Sequence, residues 1–384
     1  MLFPLCVKTT ARAVDTWESI FVTGLAQAVL LRYTNSPMGD FSVVRYHDIL
    51  CPDRPSFLDE YIALPSLQRL GGVGLLCGTD WTPLFHNKFF YSRLDHSIGA
   101  ALIVWNFTHD KRQTISALFH DIATPAFSHA MDFRNGDRIK QESTEALTHD
   151  MINGDLELSE LLFRDGIYKY EIDDYHRFPV ADNEIPGLSA DRLEYMYPSG
   201  AALCGEWTLE EVEKSYSSVV LLKNEKGLDE LGFADEESAL DYTKRFLDVS
   251  LILQKGEDKI AMQLMGDIVG EAVKCGYVDE GDLYSMDERS LVARFEDCAD
   301  TNPSDKFARL FRTFRGMTGL ERSEHEMDGC YCISFDVKRR YVNPLVRLAD
   351  GSKRIADLRP EASKIIQDFL TFNDSKWACV RYAI

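Results

Sequence analysis

Apolar residues recur at helical spacing along most of the chain. The pattern predicts helices over 17–33, 94–107, 112–122, 143–152, 240–255 and 259–276, the last closing on Gly276 as a C-cap. Breakers mark the joints. Pro52 and Pro55 interrupt the chain before the second of these helices, Pro125 stops the 112–122 helix, and "DDYHRFPVADNEIPG" at 173–187 reads as a loop. Beyond about residue 325 the pattern changes: "GCYCISFDVKRRYVNPLVRL" is rich in Val, Ile, Tyr and Phe with partial alternation, which predicts strands. The expected fold is mainly α with a small α+β lobe at the C-terminal end. No period of the length used by repeat proteins and no low-complexity tract interrupts it.

Composition narrows the class. With 384 residues, 45% of them hydrophobic and 27% charged, the chain has enough apolar material for one large core or two unequal ones. No segment has the unbroken apolar length that spans a bilayer, and Lys8, Arg12 and Asp15 fall before any signal-like apolar stretch. A cytoplasmic protein without membrane association is expected. The nine cysteines are scattered, and Cys330-Tyr331-Cys332 has no matching second pair for a zinc site, so free thiols in a reducing compartment are expected. A formal charge of −20 argues against extended nucleic-acid binding, and none is expected. It leaves room for a small anionic substrate, provided that the site brings its own positive charge.

Candidate chemistry concentrates in "ALFHDIATPAFSHAMD" at 117–132, which sets His120, Asp121, His129 and Asp132 in an apolar segment. Three other His-Asp doublets, at 47–48, 109–110 and 149–150, fall in polar surroundings and read as surface, turn or cap. Burying an ionised carboxylate beside an imidazole costs several kcal/mol unless something pairs with both. A metal ion meets that need. Two ligands are too few, and His96 in "SRLDHSIGAALIVW" and Asp191 in "LSADRLEYMY" complete a set of two imidazoles and two carboxylates. Such mixed nitrogen and oxygen ligation suits Mn, Fe, Mg, Ni, Co or Zn without choosing among them.

The order His, His-Asp, Asp is the signature of HD-domain phosphohydrolases. "LQRLGG" at 67–72, "SRLDHSIGAA" at 92–101, the 117–132 segment and "DRLEY" at 191–195 resemble segments of the deoxynucleoside triphosphate triphosphohydrolases, without a sterile-alpha-motif domain. "RYVNPLVRLADGSKRIADL" is similar to their C-terminal lobe. The resemblance implies an HD-domain helical core over 46–310, preceded by an N-terminal helical extension at 1–45 and followed by the α+β lobe at 311–384. It implies one divalent metal on His96, His120, Asp121 and Asp191, and a catalytic set of His129, Asp132 and Glu142. Arg93, Arg192 and Tyr195 are implied as substrate contacts, Arg192 standing where the family has a lysine.

The resemblance further implies hydrolysis of a dNTP to deoxynucleoside and triphosphate, and assembly as a homodimer or tetramer. Two positions depart from the family: Thr124 and Gln141 stand where its members commonly carry His. Gln cannot transfer a proton near neutral pH. The alternatives are therefore a nucleotidase or phosphatase acting on another phosphorylated nucleotide, or a catalytically altered nucleotide sensor.

Overall fold

The structure, a computed structural model, describes residues 41–383. The helix expected at 17–33 lies outside the described residues, as does most of the extension drawn at 1–45. The fold is mainly α with seven strands among the described residues, five of them beyond residue 320.

Helix α1 (Val43–Leu50) precedes α2 (Arg93–Thr108), in which Leu94, Ile98, Ala100, Leu102, Ile103 and Val104 are all buried. A helix apolar on most sides belongs inside a core. Ser92 starts α2 with a reciprocal cap: its hydroxyl accepts from the Asp95 N–H, and the Asp95 carboxylate accepts from the Ser92 N–H. Asp110 starts α3 (Lys111–Phe119) by accepting from the N–H groups of Arg112 and Gln113. This helix ends at Phe119, three residues before the expected 122, and the chain turns through 120–123. Successive turns replace the helix there, the Ile122 N–H donating to the Phe119 carbonyl and the Thr124 N–H to the Asp121 carbonyl, and Pro125 prevents any continuation beyond them.

The central body continues with α4 (Ala130–Arg134), α5 (Ala190–Leu203), α6 (Glu236–Gln254), α7 (Gly256–Lys274), α8 (Glu288–Thr301) and α9 (Lys306–Gly316). The helix expected at 143–152 is instead a 3-10 turn, Glu145–Leu147, followed by Thr148–Gly154. Residues 173–187 form the expected loop, with one 3-10 turn at Tyr175–Arg177. Ile260, Leu264, Met265 and Ile268 of α7 share a core with Phe127, Phe133, Phe295 and Phe307. Each such side chain contributes about 1.5–3 kcal/mol by leaving water. Gly266 lets α4 approach α7 closely, because a Cβ there would lie 2.7 Å from the Ala130 carbonyl oxygen.

The strands are β1 (Val219–Lys223), β2 (Asp229–Phe233), β3 (Glu321–Ser323), β4 (Cys330–Ile333), β5 (Leu345–Leu348), β6 (Gly351–Arg354) and β7 (Trp377–Arg381). One sheet has the order β1-β2-β5-β6 and the other β3-β7-β4. The β1–β2 hairpin lies inside the stretch read as helical body, and its turn uses Gly227 at φ 74°. Strand β2 pairs in parallel with β5, Gly232 opposite Leu345, so residues on both sides of position 310 share one sheet.

The expectation of free thiols is corrected at one pair. Cys332 and Cys379 stand opposite each other in the β4–β7 register, with Cα atoms 4.1 Å apart, and are joined as a disulfide. Cys330 stands opposite Arg381 in the same register, two residues along from the bridged position, and remains free. Among the described residues no helix is long and apolar enough to cross a membrane.

Candidate metal centre and active site

Helix termini deliver the candidate residues to one place. Arg93 and His96 occupy the first turn and a half of α2, and Asp191 the first turn of α5, whose N-cap Ser189 accepts from the Arg192 N–H. His120 is the C-cap of α3, and His129 is the residue on which α4 begins. The His-Asp doublet thus sits in a turn after a helix, not beside a continuing one.

His96, His120 and Asp191 each turn one donor atom toward the others, all within 4.8 Å. His96 Nε2 lies 3.1 Å from His120 Nε2 and 3.1 Å from Asp191 Oδ1, and His120 Nε2 lies 3.5 Å from the same oxygen. The outer nitrogens are committed elsewhere. His120 Nδ1–H donates to the Ala117 carbonyl at 2.7 Å, and His96 Nδ1–H donates to the Glu194 carboxylate. Both imidazoles therefore present Nε2 inward, with ring orientation fixed from behind.

Three electronegative atoms at such spacing require positive charge among them. Without a metal that charge is a proton: burial opposes it, but the Glu194 and Asp191 carboxylates outweigh burial and push the His96 pKa up to about 10. A divalent cation fits the same donors. Two atoms each about 2.1 Å from an ion stand about 3.0 Å apart at a right angle and about 3.4 Å apart at the tetrahedral angle. The observed separations match those edges.

Asp121 stands one step back. Its Oδ2 lies 3.8 Å from His96 Nε2 and 3.7 Å from His120 Nε2, and accepts from Arg93 Nη1 at 2.8 Å. Burial works against its charge, yet Arg93 and the two histidines hold the carboxyl below the usual range. Thr124 donates to the other Asp121 oxygen at 2.9 Å and so braces this carboxylate. Arg93 also donates to Ser128 Oγ at 3.1 Å.

His129 and Asp132 meet as expected. His129 Nδ1–H donates to Asp132 Oδ2 at 2.8 Å, and the buried Asp132 also accepts from Ser143 Oγ at 2.6 Å and the Thr144 N–H at 3.0 Å. Phe127 and Ser128, with φ of 64° and 49°, turn the chain sharply into His129. Burial, with help from Arg93 and Arg340, lowers the His129 pKa despite the Asp132 hydrogen bond. With Nδ1–H given to Asp132, the neutral form of the ring carries its lone pair on Nε2.

These residues line a cavity of about 940 Å³ that also takes in Glu142, Arg192 and Tyr195. Arg192 braces the wall, donating to the Gly187 carbonyl at 2.9 Å, to Asn183, and to Asp182 at 3.2 Å. Tyr195 sits edge-on to the His96 ring at 6.4 Å, and burial raises its pKa to about 12. Glu142 is exposed at the cavity margin.

Sequence reasoning missed several residues here. Glu194 orients His96 and also accepts from Tyr91 at 2.6 Å. Its signal was the i, i+3 spacing from Asp191, matched by Gly99 three residues after His96, where a Cβ would collide with the Glu194 carboxylate. Glu145, whose pKa burial and Asp121 push up to about 7, lines the cavity, as do Lys338 and Arg340 from the C-terminal lobe.

No family model matches the chain. The metal-dependent phosphohydrolase cns2 of Cordyceps militaris is 23% identical over 259 residues, which is 66% of this chain and 72% of that protein. An uncharacterized protein of Bacillus subtilis, YdhJ, is 29% identical over 143 residues, 36% of this chain and 41% of its own length. Among solved structures, a phosphohydrolase from Bacteroides thetaiotaomicron covers 86% of this chain and 96% of its own at a TM-score of 0.53 and 15% identity. A hypothetical protein from Aquifex aeolicus covers 86% and 93% at a TM-score of 0.53 and 13% identity. At these identities the structural likeness establishes a shared fold.

Proposed function

We propose that this chain is a metal-dependent HD-domain phosphohydrolase acting on nucleotides, and that it hydrolyses a dNTP to deoxynucleoside and triphosphate. The observation that carries the phosphohydrolase reading is the inward convergence of His96 Nε2, His120 Nε2 and Asp191 Oδ1, with both outer nitrogens already engaged. Similarity to a metal-dependent phosphohydrolase in sequence and to a phosphohydrolase in fold supports it. The dNTP assignment rests on the resemblance of the 67–72, 92–101 and 191–195 segments. The cavity, about 940 Å³, lies at the upper end of the range of small-molecule sites, about 300–1,000 Å³.

In this reading His96, His120 and Asp191 hold the ion, with Asp121 poised beside them. A bound divalent cation supplies Lewis acidity toward a phosphoryl oxygen and makes water a better nucleophile. Arg93 holds Asp121 charged and adds positive potential at the start of α2, whose N-terminal dipole also favours an anion. His129 Nε2 takes the proton of the attacking water, the P–O bond to the deoxyribose oxygen breaks, and the imidazolium returns the proton to that leaving oxygen, while Asp132 keeps the ring in the required tautomer and stabilises the imidazolium. The chain is also proposed to form a homodimer or tetramer, which light scattering at micromolar concentration tests.

Incubation of the protein with a nucleotide panel and each divalent ion, followed by product separation, tests the function. Inorganic triphosphate plus nucleoside is the expected result. Release of a single phosphate would move the assignment to a nucleotidase, and no turnover with any ion would favour a nucleotide sensor.

A further inference from the structure

Six Lys and Arg side chains line the cavity, and they divide into two kinds. Arg93, Arg192, Lys226 and Arg354 pair with Asp121, Asp182, Glu184 and Glu230. Lys338 and Arg340 pair with no carboxylate among the described residues, in a chain whose formal charge is −20. Both are half-buried. Burial and the neighbouring Arg340 lower the Lys338 pKa, as expected where two like charges share a partly desolvated wall.

Both side chains are held from behind. The Lys338 N–H donates to the Arg138 carbonyl at 3.1 Å, its carbonyl accepts from Gln254 Nε2 at 2.8 Å, and its ammonium donates to the Lys140 carbonyl at 2.8 Å. Arg340 Nη2 donates to Gln141 Oε1, while Gln141 Nε2 donates to the Arg138 carbonyl at 3.2 Å. An arginine has five N–H donors and an ammonium three, so most remain available. The charge of Arg340 is felt at His129, Tyr195 and Asp258, and that of Lys338 meets the fields of Asp191 and Glu145. The pair lines the same cavity as the candidate metal donors His96, His120 and Asp191.

We propose that Lys338 and Arg340 form an anion-binding pair that grips the non-reacting phosphate oxygens of the substrate while the reacting phosphorus lies at His96, His120 and Asp191. This rests on the phosphohydrolase reading above. It also gives Gln141 a task. At the position where the resemblance places a histidine, a neutral carboxamide oxygen holds Arg340 without competing for charge, whereas an imidazolium would repel it. The C-terminal lobe thereby supplies part of the site.

The test measures binding of inorganic triphosphate to the full chain by calorimetry, beside kcat and KM for whichever nucleotide the parent hydrolyses. Arg340→Ala and Lys338→Met are each expected to weaken triphosphate binding at least tenfold and to raise KM more than they lower kcat. Arg340→Lys should recover part of the loss, which a merely structural role would not produce. Circular dichroism melting identifies any variant that misfolds, and Arg340→Gln then replaces Arg340→Ala. Parent-like affinity in these variants, or no triphosphate binding by the parent, overturns the proposal. Turnover by the parent with parent-like variants sinks this inference alone; triphosphate binding through these residues without turnover of any nucleotide sinks the phosphohydrolase reading alone.

Discussion

At the scale of single residues, the centre depends on what stands behind each donor. Glu194 fixes the His96 tautomer through Nδ1, and replacing such a partner typically costs 10–100-fold in metal affinity. Glu194→Gln is therefore expected to weaken Mn²⁺ binding by about that factor in a competition titration, and unchanged affinity would show that His96 needs no such support. His129→Ala should lower kcat by about 10²–10⁴. Because burial lowers the imidazole pKa and the ring serves as base, activity should hold as pH falls through 6.5 and be lost only in more acid solution; a profile that falls as pH rises through 6.5 would assign it the acid role instead. The convergence of His96, His120 and Asp191, with Asp121 beside them, was legible because imidazoles and carboxylates placed in apolar segments demand a compensating charge, which a shared cation would supply. Glu194 and Arg340 were not, since their importance appears only when α5 packs against α2 and when residue 340 reaches back to residue 141.

At the scale of elements, the site is built from ends and turns. The periodicity of apolar residues located α2, α6 and α7 to within a few residues, because long helices bury repeated faces. It overran α3, which gives way to turns after Phe119, and it missed the β1–β2 hairpin, whose strands are too short for a strong pattern. One buried carboxylate ties several of these pieces together. Glu288, at the start of α8, accepts from the N–H groups of Gly74 and Phe127 and from Trp81 Nε1 at 2.7–3.0 Å, bracing the turn that leads into His129. Burial pushes its pKa from an ordinary 4.5 to about 7. The folded protein then holds this proton more tightly than the unfolded chain, so the stability it contributes is full below pH 4.5 and is lost as pH rises through about 7. Urea denaturation of Glu288→Gln at pH 5 and pH 8 should show the parent losing up to about 3 kcal/mol relative to the variant across that interval. Parallel pH profiles would refute the assignment.

At the scale of the whole molecule, the C-terminal lobe is joined to the helical body by the β2–β5 pairing and closes one side of the cavity with Lys338 and Arg340. The sequence signalled strands there but not which helices or strands they would meet, because the partner of β5 in the helical body, β2, lies more than a hundred residues before it. Nor did scattered cysteines announce the Cys332–Cys379 link, which spans 47 residues and follows only from strand register. Reducing that bond is expected to lower stability by about 2–4 kcal/mol in urea unfolding, and no change would show that it carries no part of the fold. The enzymatic reading as a whole turns on one ion among three side chains. Manganese binding followed by electron paramagnetic resonance, in the parent and in His120→Ala and Asp191→Ala, tests it most directly. One tightly bound ion per chain in the parent, lost in both variants while their folded spectra persist, is the predicted result; equal binding in all three, or none in the parent, would contradict it.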